Sequence, residues 1–313
     1  MVAAFYLVEP LRNPCSFGFD THRYLGNTQI RLTKHETVVS HAQSCCWSWI
    51  HLQHLMKLWG PAHTGVESPL DLEALLNLDL LAIAAHPDDV ELTCGGTMLK
   101  MAQLGYKTGI LDLTAGEMGT RGTPKIRAKE AANAAKLLNV SWRDTLGVPD
   151  SDVKASRKFK LRLAGVIRQV RPKTVILPYW EARHPDHYHA SELGYEGCFL
   201  AGLKQLPIVG EAYRPFKILY STSYANVRPT FVVDISDQYE QRRKAILAFA
   251  SQFRPKNNER ASKVHLAIDR LEEDMNQLAR HYGQMIGVQY GEPFLQKELM
   301  KVEDVVKLEV RSI

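Results

Sequence analysis

The chain contains few cysteines, and their arrangement excludes two kinds of structural site. Its 313 residues include only Cys15, Cys45, Cys46, Cys94 and Cys198. An odd number of cysteines without a Cys-x-x-Cys pair argues against a disulfide framework and against a zinc-thiolate site. We therefore expect a cytoplasmic protein that works in a reducing compartment.

Long hydrophobic runs and dense basic segments are also missing. No stretch of about 18 or more apolar residues occurs, and the chain does not begin with the pattern of a secretory signal. The net charge of +5 is not concentrated in a basic block with interleaved aromatic residues. The sequence therefore predicts no membrane and no nucleic-acid partner, and an acidic small molecule fits the mild positive charge equally well.

Residues 1–78 differ in composition from the rest of the chain. They hold three of the five cysteines, three of the five tryptophans and six of the twelve histidines. Their hydrophobic periodicity is poor, and their histidines and cysteines lack the paired spacing of a metal site. We predict a poorly structured extension that is not needed for chemistry, followed by one catalytic domain over 79–313. An interaction segment, a degenerate metal-binding tail and a later start at Met56 are the alternatives.

From Leu78 onward, short apolar runs alternate with segments of helical spacing. The runs at 80–84, 108–113 and 174–179 are typical of strands covered on both faces. Further strands are predicted at 217–221 and 230–235, with helices at 97–104, 126–138, 160–170, 238–251 and about 262–282. This alternation predicts an α/β three-layer sandwich with a mainly parallel, Rossmann-like sheet. Ligands of such sheets bind beyond the carboxyl ends of the strands, where we expect the active site.

Two polar segments follow the first and third of these runs. His86-Pro87-Asp88-Asp89 comes after strand 80–84, and Arg183-His184-Pro185-Asp186-His187 comes after strand 174–179. A hydrolytic zinc takes about three protein ligands and leaves one position for water. Together the two segments can supply these ligands from His86, Asp89 and His187. The spare carboxylate of Asp88 is then placed to act as a general base.

His184 lies one helical turn before His187, and Asp186 stands between them. As an imidazolium oriented by Asp186, His184 could stabilise the oxyanion that forms when water attacks a carbonyl, a contribution of about 3 kcal/mol. Either polar segment alone would more often be a turn or a helix cap, but their equivalent positions favour an amide or ester hydrolase. The glycine-rich segment 116–123 lacks phosphate-loop spacing, so we expect a substrate loop or a simple turn.

These segments resemble the two signature motifs of the LmbE-like (PIG-L) zinc N-deacetylase family. His86 to Glu91 is similar to the first motif, and Arg183 to His187, after a strand ending in Pro178-Tyr179, is similar to the second. The resemblance covers about 78–294. It implies zinc ligation by His86, Asp89 and His187, with iron or another divalent metal as an alternative. It also implies Asp88 as the base and His184 with Asp186 as the charged stabilising pair.

The resemblance further implies a substrate class. Members hydrolyse the N-acetyl amide of an N-acetylglucosamine conjugate and release acetate and the free amine. The chain is most similar to the bacillithiol biosynthesis branch, which implies N-acetylglucosaminyl malate as the substrate and Arg127 and Arg183 as contacts to its carboxylates. Segment 254–260 is charged where relatives carry a substrate-side tyrosine, so that contact cannot be carried over. Relatives also imply a homo-oligomer.

Other functions stay open on the sequence. One is deacetylation of an inositol conjugate or a chitooligosaccharide by the same chemistry. A second is a non-catalytic metal-binding or sugar-binding protein, although such a module has no use for the spare carboxylate of Asp88. A third is a zinc-thiolate sensor built on Cys45 and Cys46, although adjacent cysteines rarely chelate one ion well.

Overall fold

A seven-stranded sheet forms the centre of the fold. The computed structural model describes residues 76–222, 226–254 and 270–310, all within one compact unit, Ser68–Ile313. The strands are β1 (Leu80–Ala84), β2 (Thr108–Asp112), β3 (Trp142–Thr145), β4 (Thr174–Pro178), β5 (Lys217–Ser221), β6 (Phe231–Asp234) and β7 (Gly291–Leu295). Their order is β3-β2-β1-β4-β5-β7-β6. The first five of that order pair in parallel, whereas β7 is antiparallel to both β5 and β6.

Helices cover both faces of this sheet. They are α1 (Asp89–Gln103), α2 (Pro124–Leu137), α3 (Arg157–Val170), α4 (Pro185–Ala201), α5 (Tyr239–Leu247), α6 (Ala250–Phe253) and α7 (Leu271–Met285), with a 3-10 turn at Val305–Lys307. Side chains of β1 alternate between the faces: Leu81 and Ile83 pack with α3 and α4, whereas Leu80 and Ala82 pack with α1, α2 and α5. The predicted three-layer sandwich with a mainly parallel sheet is therefore confirmed.

The sequence pattern does not predict three elements of the structure, namely β3, β7 and α4. Strand β3 is a half-polar edge strand, and β7 contains Glu292 and Pro293, so neither shows a continuous apolar run. Helix α4 begins at Pro185, directly after His184, where a proline is favoured because its missing N–H would be unpaired anyway. The segment that is predicted to carry catalytic residues thus also begins a helix.

Two predicted helices differ most from the structure. Helix α1 begins at Asp89 and includes the predicted segment 97–104 only in its second half. The predicted helix at 238–251 is divided into α5 and α6, because the backbone of Phe249 (φ −78°, ψ 61°) is not helical. The first part of the predicted helix at 262–282 lies outside the described residues, and α7 forms its remainder.

Gly95 and Gly96 lie inside α1, where the helix is kinked at Cys94. Glu292 of β7 accepts hydrogen bonds from the N–H groups of Gly96 (2.8 Å) and Thr97 (2.7 Å). A Cβ on Gly96 would lie 2.9 Å from the Ile235 side chain. The glycine pair therefore allows close packing between α1 and the β6–β7 end of the sheet.

The predicted N-terminal extension lies almost entirely outside the described residues. Its last residue, Leu78, is buried, and its N–H group donates to the carbonyl of Val170 at 2.9 Å. The role assigned to 1–78 and the sensor hypothesis on Cys45 and Cys46 stay predictions. Among the described helices, none combines the length and apolar character needed to cross a bilayer.

Candidate active site

The loop after β1 places two carboxylates side by side. Asp88 has a left-handed backbone (φ 113°, ψ −25°) and precedes the first residue of α1 without capping the helix through its side chain. Such a conformation is costly for a residue other than glycine and is concentrated at functional sites. Asp89 folds back instead, and its Oδ2 accepts a hydrogen bond from the N–H of His86 at 2.9 Å. The turn therefore sends the two carboxylates to different partners.

The three predicted metal ligands come together at this turn. The Nδ1 atom of His86 lies 3.4 Å from Asp89 Oδ2, and His187, in the first turn of α4, places its Nε2 atom 3.2 Å from Asp89 Oδ1. One potential ligand atom from each of the three residues lies within 4.8 Å of the others. Two imidazoles and a carboxylate form the donor set of a divalent metal such as zinc. The residues that are present therefore fit a divalent metal.

Electrostatics agree with this arrangement. Although burial acts in the opposite direction, the neighbouring His187 and His86 hold the pKa of Asp89 well below its usual value. Conversely, burial lowers the pKa of His86, but its carboxylate partners outweigh that effect and raise the pKa well above the ordinary value. The carboxylates around the two imidazoles thus favour positive charge at this position, as a bound cation requires.

The other ring nitrogen of His86 faces two more carboxylates. Its Nε2 atom lies 3.1 Å from Asp150 Oδ1 and 3.3 Å from Asp186 Oδ2. Histidines that bind metals commonly donate their second N–H to a carboxylate, which fixes the tautomer and the ring orientation. Asp150 was missed from the sequence, because it follows β3, an unpredicted strand. The only available signal was the turn-forming run of Val148-Pro149-Asp150-Ser151.

The carboxylate of Asp88 is held by a buried arginine. Arg127, from α2, is 4% exposed, and one of its NH2 groups lies 3.0 Å from Asp88 Oδ2. The guanidinium also donates to the carbonyls of Pro87 and Gly116. Burial raises the pKa of Asp88 to about 7, with Arg127 acting in the opposite direction. Arg127 was predicted as a substrate contact, and the structure places it against the candidate base.

Gly116 explains how Arg127 fits beside this loop. Its φ of 65° lies in the left-handed region, and a Cβ built on it would lie 1.9 Å from a terminal nitrogen of Arg127. The same glycine-rich loop docks on Asp150: Met118 donates its N–H to Asp150 Oδ2 at 2.9 Å, and Glu117 accepts the N–H of Asp150 at 2.8 Å. The loop therefore supports residues of the site.

The second polar segment is open to solvent at its start and buried at its end. Arg183 and His184 are exposed, whereas Asp186 is 2% exposed. The Nδ1 atom of His184 accepts the backbone N–H of Asp186 at 3.2 Å, while the Asp186 carboxylate accepts the N–H of Ser151 at 2.8 Å. Burial, together with the nearby His86 and His187, lowers the pKa of His184. The geometry leaves Nε2 of His184 as the nitrogen available to a substrate.

A buried ion cluster lies behind the first loop. Arg143 of β3 contacts Glu91 at 2.6 Å and Asp112 at 2.8 and 3.0 Å. Glu91 belongs to α1, two residues beyond Asp89, and is fully buried. Since removing one partner of a buried ion pair leaves an uncompensated charge, this cluster fixes the start of α1 against the sheet.

Comparisons with known proteins agree with this geometry. Residues 81–198 match the PIG-L family, described as GlcNAc-PI de-N-acetylase. A diacetylchitobiose deacetylase from Thermococcus kodakarensis is 31% identical over 227 residues, which are 68% of this chain and 80% of that protein. A probable N-acetyl-alpha-D-glucosaminyl L-malate deacetylase 2 from Bacillus anthracis is 28% identical, over 58% of this chain and 84% of that protein.

A solved structure shows the same fold. The conserved protein TT1542 from Thermus thermophilus superposes with a TM-score of 0.66 at 38% identity, covering 72% of this chain and 98% of that one. The chain belongs to the PIG-L, or LmbE-like, deacetylase family. It is therefore a hydrolase of the N-deacetylase class, as the sequence predicts, and the family is metal-dependent.

Proposed function

We propose that this protein hydrolyses the N-acetyl amide of an N-acetylglucosamine conjugate with the help of zinc. The observation that carries the proposal is the turn at Asp88 and Asp89. One carboxylate joins His86 and His187 in a metal-type donor set, while the adjacent one is turned away to Arg127. A site that only stores a metal gains nothing from this second, strained and charge-paired carboxylate, whereas hydrolysis needs a base.

The reaction requires water to add to the amide carbonyl and a proton to reach the leaving nitrogen. His86, Asp89 and His187 would hold the zinc ion, which supplies activation of the water and polarisation of the carbonyl when bound. Asp88 would remove a proton from the attacking water and then deliver it to the amine as the C–N bond breaks. Arg127 would keep the Asp88 carboxylate oriented through its contact at 3.0 Å.

Charge develops on the carbonyl oxygen during this attack. His184 is placed to donate from Nε2 to that oxygen, since its Nδ1 already accepts the N–H of Asp186. Because the pKa of His184 is lowered, we propose that its neutral ring is the donor. The sequence predicts an imidazolium in this role. Asp186 would position His86 through its carboxylate and His184 through its backbone N–H group.

The glycoside attached to the amide is a finer proposal. We place N-acetylglucosaminyl malate first, because the B. anthracis relative bears that activity in its name and Arg183 lies exposed beside the site. A guanidinium fork matches a carboxylate. Diacetylchitobiose is the second candidate, because the T. kodakarensis relative is more similar in sequence.

A product assay tests the function. Zinc-loaded protein is incubated with N-acetylglucosaminyl malate, diacetylchitobiose and an N-acetylglucosaminyl inositol, and free acetate and free amine are measured. We expect equal amounts of both products from at least one glycoside and none after chelation of the metal. Fully metal-loaded protein that releases no acetate from any of the three would contradict the proposal. Parallel loading with Fe²⁺ identifies the better metal.

The oligomeric state and the cellular location are also proposals. Large apolar side chains such as Phe216, Leu299 and Val306 are 81%, 99% and 89% exposed, which supports a homo-oligomer that light scattering can detect. Cys94 and Cys198 are buried free thiols, which agrees with the cytoplasmic location expected from the sequence.

A further inference from the structure

A small apolar cavity opens beside the candidate metal ligands. Its volume is about 30 Å³, and Asp89 and His187 line one side of it. Most of the remaining wall is apolar and comes from the carboxyl ends of β1 and β4 and the first turn of α1, through Ala84, Val90, Ile176 and Pro178. None of these apolar residues has a role in the hydrolysis described above.

We propose that this cavity is an acyl pocket, which receives the methyl group of the acetyl substituent and limits the enzyme to short acyl amides. The inference rests on the proposed deacetylase function. An amide carbonyl carbon carries an oxygen, a nitrogen and the acyl chain. The sugar on nitrogen needs open space, and Arg183 and His184 mark the solvent side of the site. The acyl chain is then directed to the interior, where the cavity lies next to two ligands.

The size of the cavity sets the selectivity. About 10–15 Å³ of such space holds one water-sized group, so 30 Å³ holds two or three at most. A methyl group is larger than a water molecule and fills much of this space, and a chain of several carbons exceeds it. The walls cannot easily move, because Ala84, Val90 and Ile176 are 2–3% exposed and belong to the packed core below the sheet. One additional methylene in a tight apolar pocket changes kcat/KM by roughly 10- to 200-fold.

Single-methyl substitutions test the pocket. Ile176→Val removes one methyl group from the wall and keeps a residue that favours strands, whereas Ala84→Val adds two methyl groups to the same cavity. The matched control is Leu271→Val, which shortens a wall of a separate cavity of about 70 Å³ that is lined by neither Ala84 nor Ile176. Rates are measured with N-acetyl, N-propionyl and N-butyryl forms of one glycoside.

We expect wild-type protein to prefer acetyl over propionyl by roughly tenfold or more, with butyryl slower still. Ile176→Val should raise the propionyl-to-acetyl ratio of kcat/KM by roughly tenfold, Ala84→Val should depress acetyl turnover, and Leu271→Val should change neither ratio nor rate. An unchanged ratio in a folded Ile176→Val protein would overturn the acyl pocket.

Carboxylate binding provides a readout that does not need turnover. The zinc-loaded protein is titrated calorimetrically with acetate, propionate and butyrate, which present the same chain lengths. Acetate should bind best to wild type, and Ile176→Val should shift the preference towards propionate. If this order holds while no glycoside is hydrolysed, the proposed function fails and the pocket stands. Equal binding of the three carboxylates would reject the pocket even in an active enzyme.

Discussion

The two loops that build the site differ in how firmly the protein holds them. In the loop after β1, the side chains of Asp88 and Asp89 are 13% and 10% exposed, and each has a charged partner within 3.4 Å. In the loop after β4, Arg183 and His184 are exposed, and burial begins only at Asp186. One loop is therefore fixed from all sides, and the other is half open.

This difference indicates a division of labour. Buried charges are costly unless they are paired, so the first loop is held in one arrangement by Arg127 and by the carboxylates around His86. Exposed charges gain little from fixed partners, so the start of the second loop can adapt to what enters the site. Chemistry would then depend on the first loop together with His184 and His187, and substrate choice on the exposed Arg183.

The strongest test of this division uses two histidines from the second loop. His187→Ala removes a proposed ligand that lies 3.2 Å from Asp89, so bound metal and activity should both be lost. His184→Ala should keep the full metal content and lose roughly 100-fold or more in kcat, the usual effect of one oxyanion donor. Metal analysis and acetate release check both variants. Equal metal loss in the two proteins would break the comparison.

Asp88→Asn should give the next largest effect. The amide keeps the size of the side chain but cannot accept the proton, so kcat should fall by roughly 10² to 10⁴-fold. Metal content should stay at the wild-type level, because Asp88 faces Arg127 and not the ligand cluster. Because Asp88→Asn removes the counter-charge of the buried Arg127, the thermal unfolding of the variant is measured as a control for its stability. An Asn variant with wild-type turnover would show that another group is the base.

Much of the fold could be predicted from the sequence. Runs such as Leu80–Ala84 are covered on both faces, and continuous apolar patterns are typical of such strands. The apolar pattern is interrupted where a strand lies at the edge of the sheet or contains a buried polar residue. Strand β3 exposes Asp144 and Thr145, and β7 keeps Glu292 for hydrogen bonds to α1.

The site was predictable to the extent that it is local in sequence. His86 and Asp89 share one turn, and the ends of parallel strands bring His187 to them, as topology requires. Asp150 and the orientation of Arg127 depend on tertiary packing, which neighbouring residues in sequence do not reveal. The sequence therefore indicated which of these groups come together, but not that Arg127 faces Asp88 or that Asp150 faces His86.

Asp150 tests how firmly the first loop is held. Asp150→Asn keeps the shape of the side chain but removes the negative charge that faces His86 Nε2 at 3.1 Å. Loss of such an outer partner lowers metal affinity by roughly 10- to 100-fold. The matched control is Asp152→Asn, two residues on, whose side chain is 54% exposed and pairs with Lys154 on the surface. Chelator competition measures both affinities, and equal values would mean that Asp150 does not position His86.

The smallest effect is expected at Arg183. Measured beside a variant of Arg127, it compares an exposed residue of the second loop with a buried one that holds the first loop. Arg183→Ala should raise KM several-fold for an anionic glycoside and leave kcat unchanged, because an exposed pair contributes about 0.2–1 kcal/mol. Arg127→Ala should act mainly on kcat, since this buried guanidinium holds Asp88 at 3.0 Å. With a neutral chitooligosaccharide, the KM effect of Arg183 should vanish while the kcat effect of Arg127 persists. A KM effect alone at Arg127 would restore that residue to the substrate contacts expected from the sequence.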